Sequence, residues 1–206
     1  MADNKMTKSA GEHWVCSMLA RQGWGAALTR DGLARTDILA VHTEDLSRPA
    51  IEVQVKAARA ASNVNYPLGL NSQQTARSDR EWFVFVSLPE QSDYVSAPRS
   101  FIVPRDHVAA AAFIAHEDWR TDPDAVPGTR NAGVDKSRVH ISVWSGYEAR
   151  WDLLAQPTAA VPAMLPARFD DLAFGDRVGL PEGHPRLVNR PVRDTFATWR
   201  AFDMLS

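Results

Sequence analysis

The chain has 206 residues, of which 45% are hydrophobic and 23% are charged, the ordinary composition of a globular protein with one core. Its formal net charge of −2 gives no support to nucleic-acid binding through overall charge, so such binding would need a local basic surface. The single cysteine, Cys16, excludes an intrachain disulfide and a zinc site with several cysteines. No apolar run is long enough to span a bilayer, and residues 1–9 lack the apolar core of a signal peptide, so we expect a cytoplasmic protein without membrane contact.

The first part of the chain predicts one helix followed by strands. Apolar residues recur at spacings of three and four over 9–22, which predicts a helix that ends before Gly23. Runs of aliphatic and β-branched residues then predict strands over 25–30, 36–42 and 50–57. The polar, turn-prone gap between the last two strands indicates that they are neighbours in the chain and in the sheet.

The middle of the chain predicts a buried strand and a second long helix. Residues 58–70 are expected to be irregular and 71–80 to form a short polar helix. The run over 82–88 is apolar on both faces, as expected for a buried central strand. A short strand over 101–103 and an alanine-rich helix over 105–119 follow.

The last part of the chain predicts a strand over 139–143 and a helical turn around Trp151. From residue 156 onward, prolines interrupt the sequence repeatedly. We therefore expect residues 156–206 to form an extension that wraps the core or is partly disordered, with a short helix over 195–202.

One face of the strand 50–57 carries the polar side chains with the most informative chemistry. Glu52, Gln54 and Lys56 alternate there with aliphatic residues. Asp37 lies near the start of the preceding strand. An aspartate beside an acid, an amide and a lysine indicates a metal site, although the alternation alone is also that of a solvent-facing strand.

In the order of its elements, and in the combination of Asp37 with the Gln-Val-Lys run at 54–56, the chain resembles the PD-(D/E)xK nuclease superfamily over residues 9–90. The Gln-x-Lys form is similar to that of Mrr-type restriction endonucleases and some junction resolvases. Two positions depart from the family pattern. Thr36 replaces the name-giving proline, and the amide of the 54–56 run replaces the central carboxylate.

The resemblance implies a fold, an activity and a cofactor. The fold is α/β, with a restriction-endonuclease-like mixed central sheet flanked by helices, in a nuclease-like domain over 1–155 that the extension over 156–206 follows. The activity is hydrolysis of DNA phosphodiester bonds with Mg²⁺, for which Mn²⁺ substitutes. Hard cations take oxygen ligands and offset the charge that develops on a phosphate, which explains these residue types.

The same resemblance assigns roles to individual residues. Asp37 supplies a carboxylate to the metal, and the Gln54 side chain or the Val55 backbone carbonyl supplies a second oxygen. Glu12, on the first helix, binds the metal directly or through water. Lys56 orients or deprotonates the attacking water and stabilises charge on the phosphate.

Alternatives stay open for these residues and for the whole function. Glu12 fits the capping box of a helix that starts at Ser9, and Glu52 is the functional acid if the pattern is shifted along the strand. The protein is otherwise a non-catalytic nucleic-acid-binding or protein-interaction module that retains the fold. A third option is a nuclease subunit that acts only with a separate recognition or motor subunit.

DNA is the expected partner, with RNA as an open option, and a homodimer is compatible with cutting both strands. Five arginines close to the site in sequence are candidates for phosphate contacts: Arg30, Arg35, Arg59, Arg77 and Arg80. A second basic group falls in the extension: Arg186, Arg190, Arg193 and Arg200. Acids are interspersed among these arginines, so ordinary solvated charges explain them as well.

Overall fold

The computed structural model describes residues 4–29, 34–60 and 63–188, and a mixed five-stranded sheet lies at their centre. The strands in chain order are β1 (Trp24–Leu28), β2 (Ile38–His42), β3 (Ala50–Arg59), β4 (Asn65–Pro67), β5 (Glu81–Leu88), β6 (Arg99–Pro104) and β7 (Arg138–His140). The large sheet has the spatial order β1-β2-β3-β5-β6, and its neighbours are antiparallel except for the parallel pair β3 and β5. Strands β4 and β7 form a small antiparallel sheet. The predicted α/β fold with a mixed central sheet is confirmed.

Helices flank the large sheet. They are α1 (Asn4–Ala20), α2 (Leu70–Gln73), α3 (Arg105–Arg120), α4 (Ala167–Ala173) and α5 (Pro185–Val188). Short 3₁₀ helices cover Val134–Lys136, Ile141–Tyr147, Trp151–Ala155 and Thr158–Ala160. In this described part of the chain, every helix is too short or too polar to cross a membrane.

Helices α1 and α3 cover opposite faces of β3. A Cβ atom on Gly11 of α1 would lie 2.4 Å from the Ala57 Cβ, so the close approach of this helix to β3 requires glycine. Arg105, at the start of α3, instead reaches Gln54 on the other face. The two faces of β3 therefore receive functional side chains from two different helices.

An aromatic cluster closes the α3 side of the sheet. In the register between β3 and β5, Phe83 and Phe85 are the partners of Gln54 and Lys56. The Phe85 ring stacks on Trp144 with the ring centroids 4.5 Å apart. All eight residues of β5 are buried, which confirms the predicted buried strand. Burial of each of its large apolar side chains stabilises the fold by roughly 1.5–3 kcal/mol and holds β3 in a fixed position.

The first helix begins earlier than the sequence pattern predicts. Helix α1 starts at Asn4 rather than near Ser9, so Glu12 lies in the middle of the helix. A residue in mid-helix has no free N–H groups of a helix start to bind. The capping-box interpretation of Glu12 is therefore wrong, and its side chain is available for contacts with the sheet.

The predicted polar helix over 71–80 is also wrong beyond its first turn. Helix α2 ends at Gln73, and the following backbone is held by a side chain instead of by helical hydrogen bonds. The N–H groups of Arg77 and Ser78 donate to Glu81 Oε1 at 2.5 and 3.2 Å. The buried carboxylate of the first residue of β5 thus holds the backbone that was predicted to be helical.

Two further boundaries differ from the sequence-based expectation. The strand predicted over 139–143 ends at His140, because the His140 side chain accepts a hydrogen bond from the Ser142 N–H and starts a 3₁₀ helix. The segment 58–70 is less irregular than expected. Strand β3 continues to Arg59 along β5, and β4 follows within the same segment.

The extension packs on the core as far as the structure describes it. Val161 and Leu165 are buried in the main hydrophobic cluster. Helix α4 packs on α3 in a smaller cluster. The predicted helix over 195–202 lies outside the described residues, as do the three arginines predicted beyond residue 188. The domain boundary at residue 155 stays a prediction.

A buried histidine links the extension to α3. The His107 Nδ1 atom lies 2.9 Å from the Tyr147 hydroxyl, which also accepts a hydrogen bond from the Met164 N–H. Burial, together with the nearby charges of Arg186 and His184, lowers the pKa of His107 from 6.5 to about 3. The folded protein therefore holds this imidazole neutral.

This histidine should make the protein sensitive to acid. Between about pH 6.5 and pH 3 the unfolded chain binds a proton that folded His107 does not, so its contribution to the free energy of unfolding is complete above pH 6.5 and falls toward pH 3. His107→Gln should flatten this pH dependence by on the order of 1 kcal/mol or more. Urea unfolding at pH 7 and pH 4 measures it, with exposed His13→Gln as the control; equal slopes for His107→Gln and wild type would contradict the assignment.

Candidate metal and active site

Asp37 lies where β2 begins, beside the middle of β3. Its Oδ2 accepts a hydrogen bond from the Val55 backbone N–H at 2.8 Å, and its own N–H donates to the Val53 carbonyl at 2.9 Å. The carboxylate therefore takes the place of a strand partner just before the first residue of β2. Because the N–H and C=O of one strand residue point toward the same neighbouring strand, the Val55 carbonyl also points toward this end of β2.

Helix α1 places Glu12 close to Asp37, and Lys8 of the same helix pairs with both acids. The Lys8 Nζ lies 3.3 Å from Glu12 Oε1 and 3.3 Å from Asp37 Oδ1. Burial opposes the charge of Lys8, but the two carboxylates outweigh it and raise the pKa of the ammonium group. Two acids from separate elements thus converge on one positive charge.

Lys56 lies half-buried on β3 near this pair. Burial lowers the pKa of the Lys56 ammonium; the Asp37 carboxylate opposes this effect, whereas the positive charges of Lys8 and Arg105 add to it. Among the described residues, Lys56 forms no hydrogen bond or ion pair. A half-buried amine without a partner is unfavourable as a purely structural feature, and it is available to an incoming group.

Gln54 is turned toward Arg105 instead of toward Asp37. Its Oε1 accepts a hydrogen bond from Arg105 Nη2 at 2.8 Å. An amide oxygen has two lone pairs, so this bond leaves one acceptor position. Glu52, the alternative acid, is exposed and accepts a hydrogen bond from the Thr36 hydroxyl at 2.8 Å. Neither side chain contacts the Glu12–Lys8–Asp37 group directly through an ion pair or hydrogen bond among the described residues.

The hydrogen-bond partner of Gln54, Arg105, belongs to a buried network of ion pairs. Glu81 Oε2 lies 2.8 Å from Arg35 Nη2 and 2.8 Å from Arg105 Nε. The Arg105 side chain is 1% exposed, and its guanidinium lies 4.7 Å from the centre of the Phe83 ring. Burial and the neighbouring Arg35 charge lower the pKa of Arg105 to about 10, while Glu81 opposes them. One carboxylate thus holds two guanidinium groups inside the protein.

The predicted phosphate-binding arginines do not form one surface. Arg30 lies outside the described residues, and Arg35 belongs to the buried network, with 8% of its side chain exposed. Arg77 and Arg80 precede β5, whereas Arg59 ends β3. Because β3 and β5 are parallel, these positions lie at opposite ends of the sheet. These arginines are therefore separated along the sheet, and their contacts with phosphate stay a prediction.

Burial also removes an arginine of the extension from the candidates. Arg186 is 4% exposed and pairs with Asp170. Arg77 is exposed, and its backbone N–H is anchored on Glu81. Arg77, one of the arginines predicted to bind phosphate, thus combines an accessible side chain with a backbone that the buried Glu81 carboxylate holds.

Three residues of this region were missed by the sequence reasoning: Lys8, Glu81 and Arg105. Each has a signal in the sequence. Lys8 precedes Glu12 by four residues, the spacing of neighbours on one helix face. Glu81 is the single acid at the head of an apolar strand. Arg105 opens a helix, where a cation is unfavourable beside the positive end of the helix dipole and therefore indicates a specific partner.

The donor set fits a hard divalent cation. Glu12 and Asp37 would supply carboxylate oxygens, and the Val55 carbonyl, on the side of β3 that faces β2, would supply a third oxygen. No group of three or more histidine, cysteine, aspartate or glutamate side chains in residues 4–29, 34–60 and 63–188 is arranged to hold a metal. Mg²⁺ keeps several of its waters and needs only one or two carboxylates, so the smaller set suits it better than Zn²⁺. The ammonium of Lys8 is a stand-in cation between the two acids.

Comparisons with known proteins give one structural likeness. No protein-family model and no curated protein matches the chain. Among solved structures, the chain is similar to a bacterial homing endonuclease, I-Ssp6803I, with 14% sequence identity and a TM-score of 0.42. The likeness covers 75% of this chain and 95% of that chain. The function proposed below rests on the side chains of the site.

Proposed function

We propose that this protein is a nuclease that hydrolyses DNA phosphodiester bonds with Mg²⁺, or with Mn²⁺ in its place. One observation carries the proposal: the carboxylates of Glu12 and Asp37 meet on a cation, and the amine of Lys56 lies near them without a partner of its own. Two acids and a lysine, gathered where β2 begins beside β3, are the groups that metal-assisted hydrolysis of a phosphodiester needs.

The carboxylates of Asp37 and Glu12 would bind the metal from two different elements of the fold. Bound Mg²⁺ would supply positive charge to the phosphate and make a bound water more acidic. Asp37 offers Oδ1 to the metal while its Oδ2 stays fixed by the Val55 N–H, which sets the orientation of the carboxylate. Glu12 approaches from α1, so the metal would join the helix to the strand edge.

Lys56 is suited to orient or deprotonate the attacking water. Its backbone is fixed in β3, and burial lowers the pKa of its ammonium, which makes the neutral, proton-accepting amine easier to reach than in a solvated lysine. In its charged form the same group donates to a phosphate oxygen and offsets developing negative charge. Gln54 positions this end of β3 through Arg105 and keeps one acceptor lone pair for a water or the metal.

A second candidate has an observation in its favour. Gln54 lacks the charge of a carboxylate, and its oxygen is already bound to Arg105, which favours a non-catalytic nucleic-acid-binding module that retains the fold. In that case Lys56→Met leaves function unchanged. A nuclease subunit that needs a partner is distinguished by cleavage that appears only when the recognition or motor subunit is added.

The direct test of the nuclease proposal is EDTA-sensitive cleavage of labelled DNA by the purified chain. Cleavage that requires Mg²⁺ or Mn²⁺ supports the proposal. Binding of DNA without cleavage, in the presence of either metal, supports the second candidate.

Gln54→Glu tests whether this position belongs to the metal site. The added carboxylate should raise Mg²⁺ affinity roughly three- to tenfold, because a third negative charge at short range attracts the metal while Arg105 neutralises part of it. Isothermal titration calorimetry with Mg²⁺ measures the effect.

Gln91→Glu is the matched control, because it makes the same charge change at an exposed loop position. An increase in affinity for Gln54→Glu alone places residue 54 at the metal. Equal Mg²⁺ affinities for Gln54→Glu and wild type would show that the amide serves only Arg105.

A further inference from the structure

The ammonium group of Lys8 lies between the two acids that the proposed nuclease would use for its metal. It is 3.3 Å from an oxygen of each, and these two carboxylates are its ion-pair partners among the described residues. We propose that Lys8 is an internal counter-cation and that a divalent metal binds by displacing its ammonium from between Glu12 and Asp37. This inference rests on the proposed function, since it concerns the metal of the same site.

The exposure of the three side chains favours displacement of the lysine and not of the acids. The side chain of Lys8 is 56% exposed, compared with 16% for Glu12 and 19% for Asp37. An exposed lysine in an ion pair is weakly held, because solvent screens the attraction and the long side chain loses freedom. Its flexible side chain can rotate so that the ammonium group moves out into the solvent, without any movement of α1.

Electrostatics argue against simultaneous binding of the metal and the ammonium. Lys56 already places positive charge near Asp37. A divalent cation added while Lys8 is still in place would face two like charges around two carboxylates. Departure of Lys8 removes one of them and frees an oxygen on each acid for direct coordination.

The two lysines of the site therefore differ in what they can do. Lys56 is half-buried on a strand and stays beside the metal, whereas Lys8 is exposed on a helix and leaves. With Lys8 in place, the metal-free protein keeps its two acids close together without mutual repulsion. Metal affinity is then set by the competition between Lys8 and the ion for the same oxygens.

Lys8→Met removes the competitor and keeps the length of the side chain. We expect this variant to bind Mn²⁺ roughly three- to tenfold more tightly than wild type, because the metal no longer displaces an ion pair. Loss of the free Mn²⁺ signal in electron paramagnetic resonance measures this without any substrate. Lys8→Arg keeps the charge and should not gain affinity, and Lys136→Met is the matched control at an exposed lysine paired with Asp135.

The displacement itself can be observed in the wild-type protein. Acetylation of Lys8 by an amine-reactive ester should become faster when Mg²⁺ is added, whereas acetylation of Lys136 should not change. Mass spectrometry of the labelled peptides reports both rates. Asp37→Asn should abolish the effect on Lys8, because it removes one of the two charges that hold the metal.

The outcomes separate this inference from the proposed function. If wild type and Lys8→Met bind Mn²⁺ equally well, and Mg²⁺ does not change Lys8 acetylation, the counter-cation proposal is overturned while the metal site stands. If neither protein binds Mn²⁺, the proposed metal-dependent function is overturned, and this inference with it. Tighter binding by Lys8→Met together with faster Lys8 acetylation supports both.

Discussion

Asp37→Asn should lower metal-dependent DNA cleavage by at least about a thousandfold while the protein stays folded. The asparagine oxygen still accepts the hydrogen bond from the Val55 N–H, so the junction of β2 and β3 is kept. The variant lacks the charge that holds the metal, and metal charge stabilisation contributes several kcal/mol to such a reaction. Alanine is a poorer choice here, because it would leave the Val55 N–H without an acceptor.

Lys56→Met should reduce the cleavage rate by roughly 10²- to 10⁴-fold, the usual contribution of a group that handles the proton of an attacking water. Methionine preserves the buried stem and removes the amine. Single-turnover assays on labelled DNA measure both variants, and circular dichroism checks their folding.

Asp135→Asn and Lys136→Met are matched controls, because this pair lies on the surface away from the site. They should cut like wild type. Full activity in Asp37→Asn or in Lys56→Met would rule out the proposed catalytic set.

Glu81→Ala should have the largest effect on stability, a loss of about 3–5 kcal/mol in the free energy of unfolding. Glu81 is 5% exposed, and its removal leaves the guanidinium groups of Arg35 and Arg105 buried without their carboxylate. It also removes the acceptor for the Arg77 N–H ahead of β5. Urea unfolding measures the change.

Glu148→Ala is the control for this prediction. It breaks the pair between Glu148 and Arg99, whose side chains are 37% and 57% exposed, so the loss should be at most about 1 kcal/mol. If Glu81→Ala costs no more than Glu148→Ala, the buried network does not stabilise the fold as described.

The sequence predicts the strand that carries the site because local patterns determine it. The alternation on β3 places Gln54 and Lys56 on one face, and the apolar run of β5 forms the strand beside it, as observed. The position of Asp37 at the start of the neighbouring strand also follows from the short gap between the two runs. These features depend on residues close together in the chain.

The sequence does not predict the contacts that depend on distant residues. Arg105 follows Gln54 by 51 residues and binds it on a face that only the packing of α3 defines. The segment before β5 has a helical pattern, but the Glu81 carboxylate takes its N–H groups and ends the helix early. The arginines predicted to bind phosphate are close together in sequence, but the parallel pairing of β3 and β5 places Arg59 at the opposite end of the sheet from Arg77 and Arg80.

The measurement that tests the central claim most directly is cleavage of a panel of labelled duplex, branched and single-stranded DNAs, with RNAs alongside, by wild type and Lys56→Met. Each reaction is run with Mg²⁺, with Mn²⁺ and with EDTA. The account predicts cleavage of at least one DNA by wild type with either metal, none with EDTA, and a loss of at least about a hundredfold in the variant. Wild type that neither cuts nor binds any nucleic acid in the panel, or cleavage that persists in EDTA and in Lys56→Met, would contradict it.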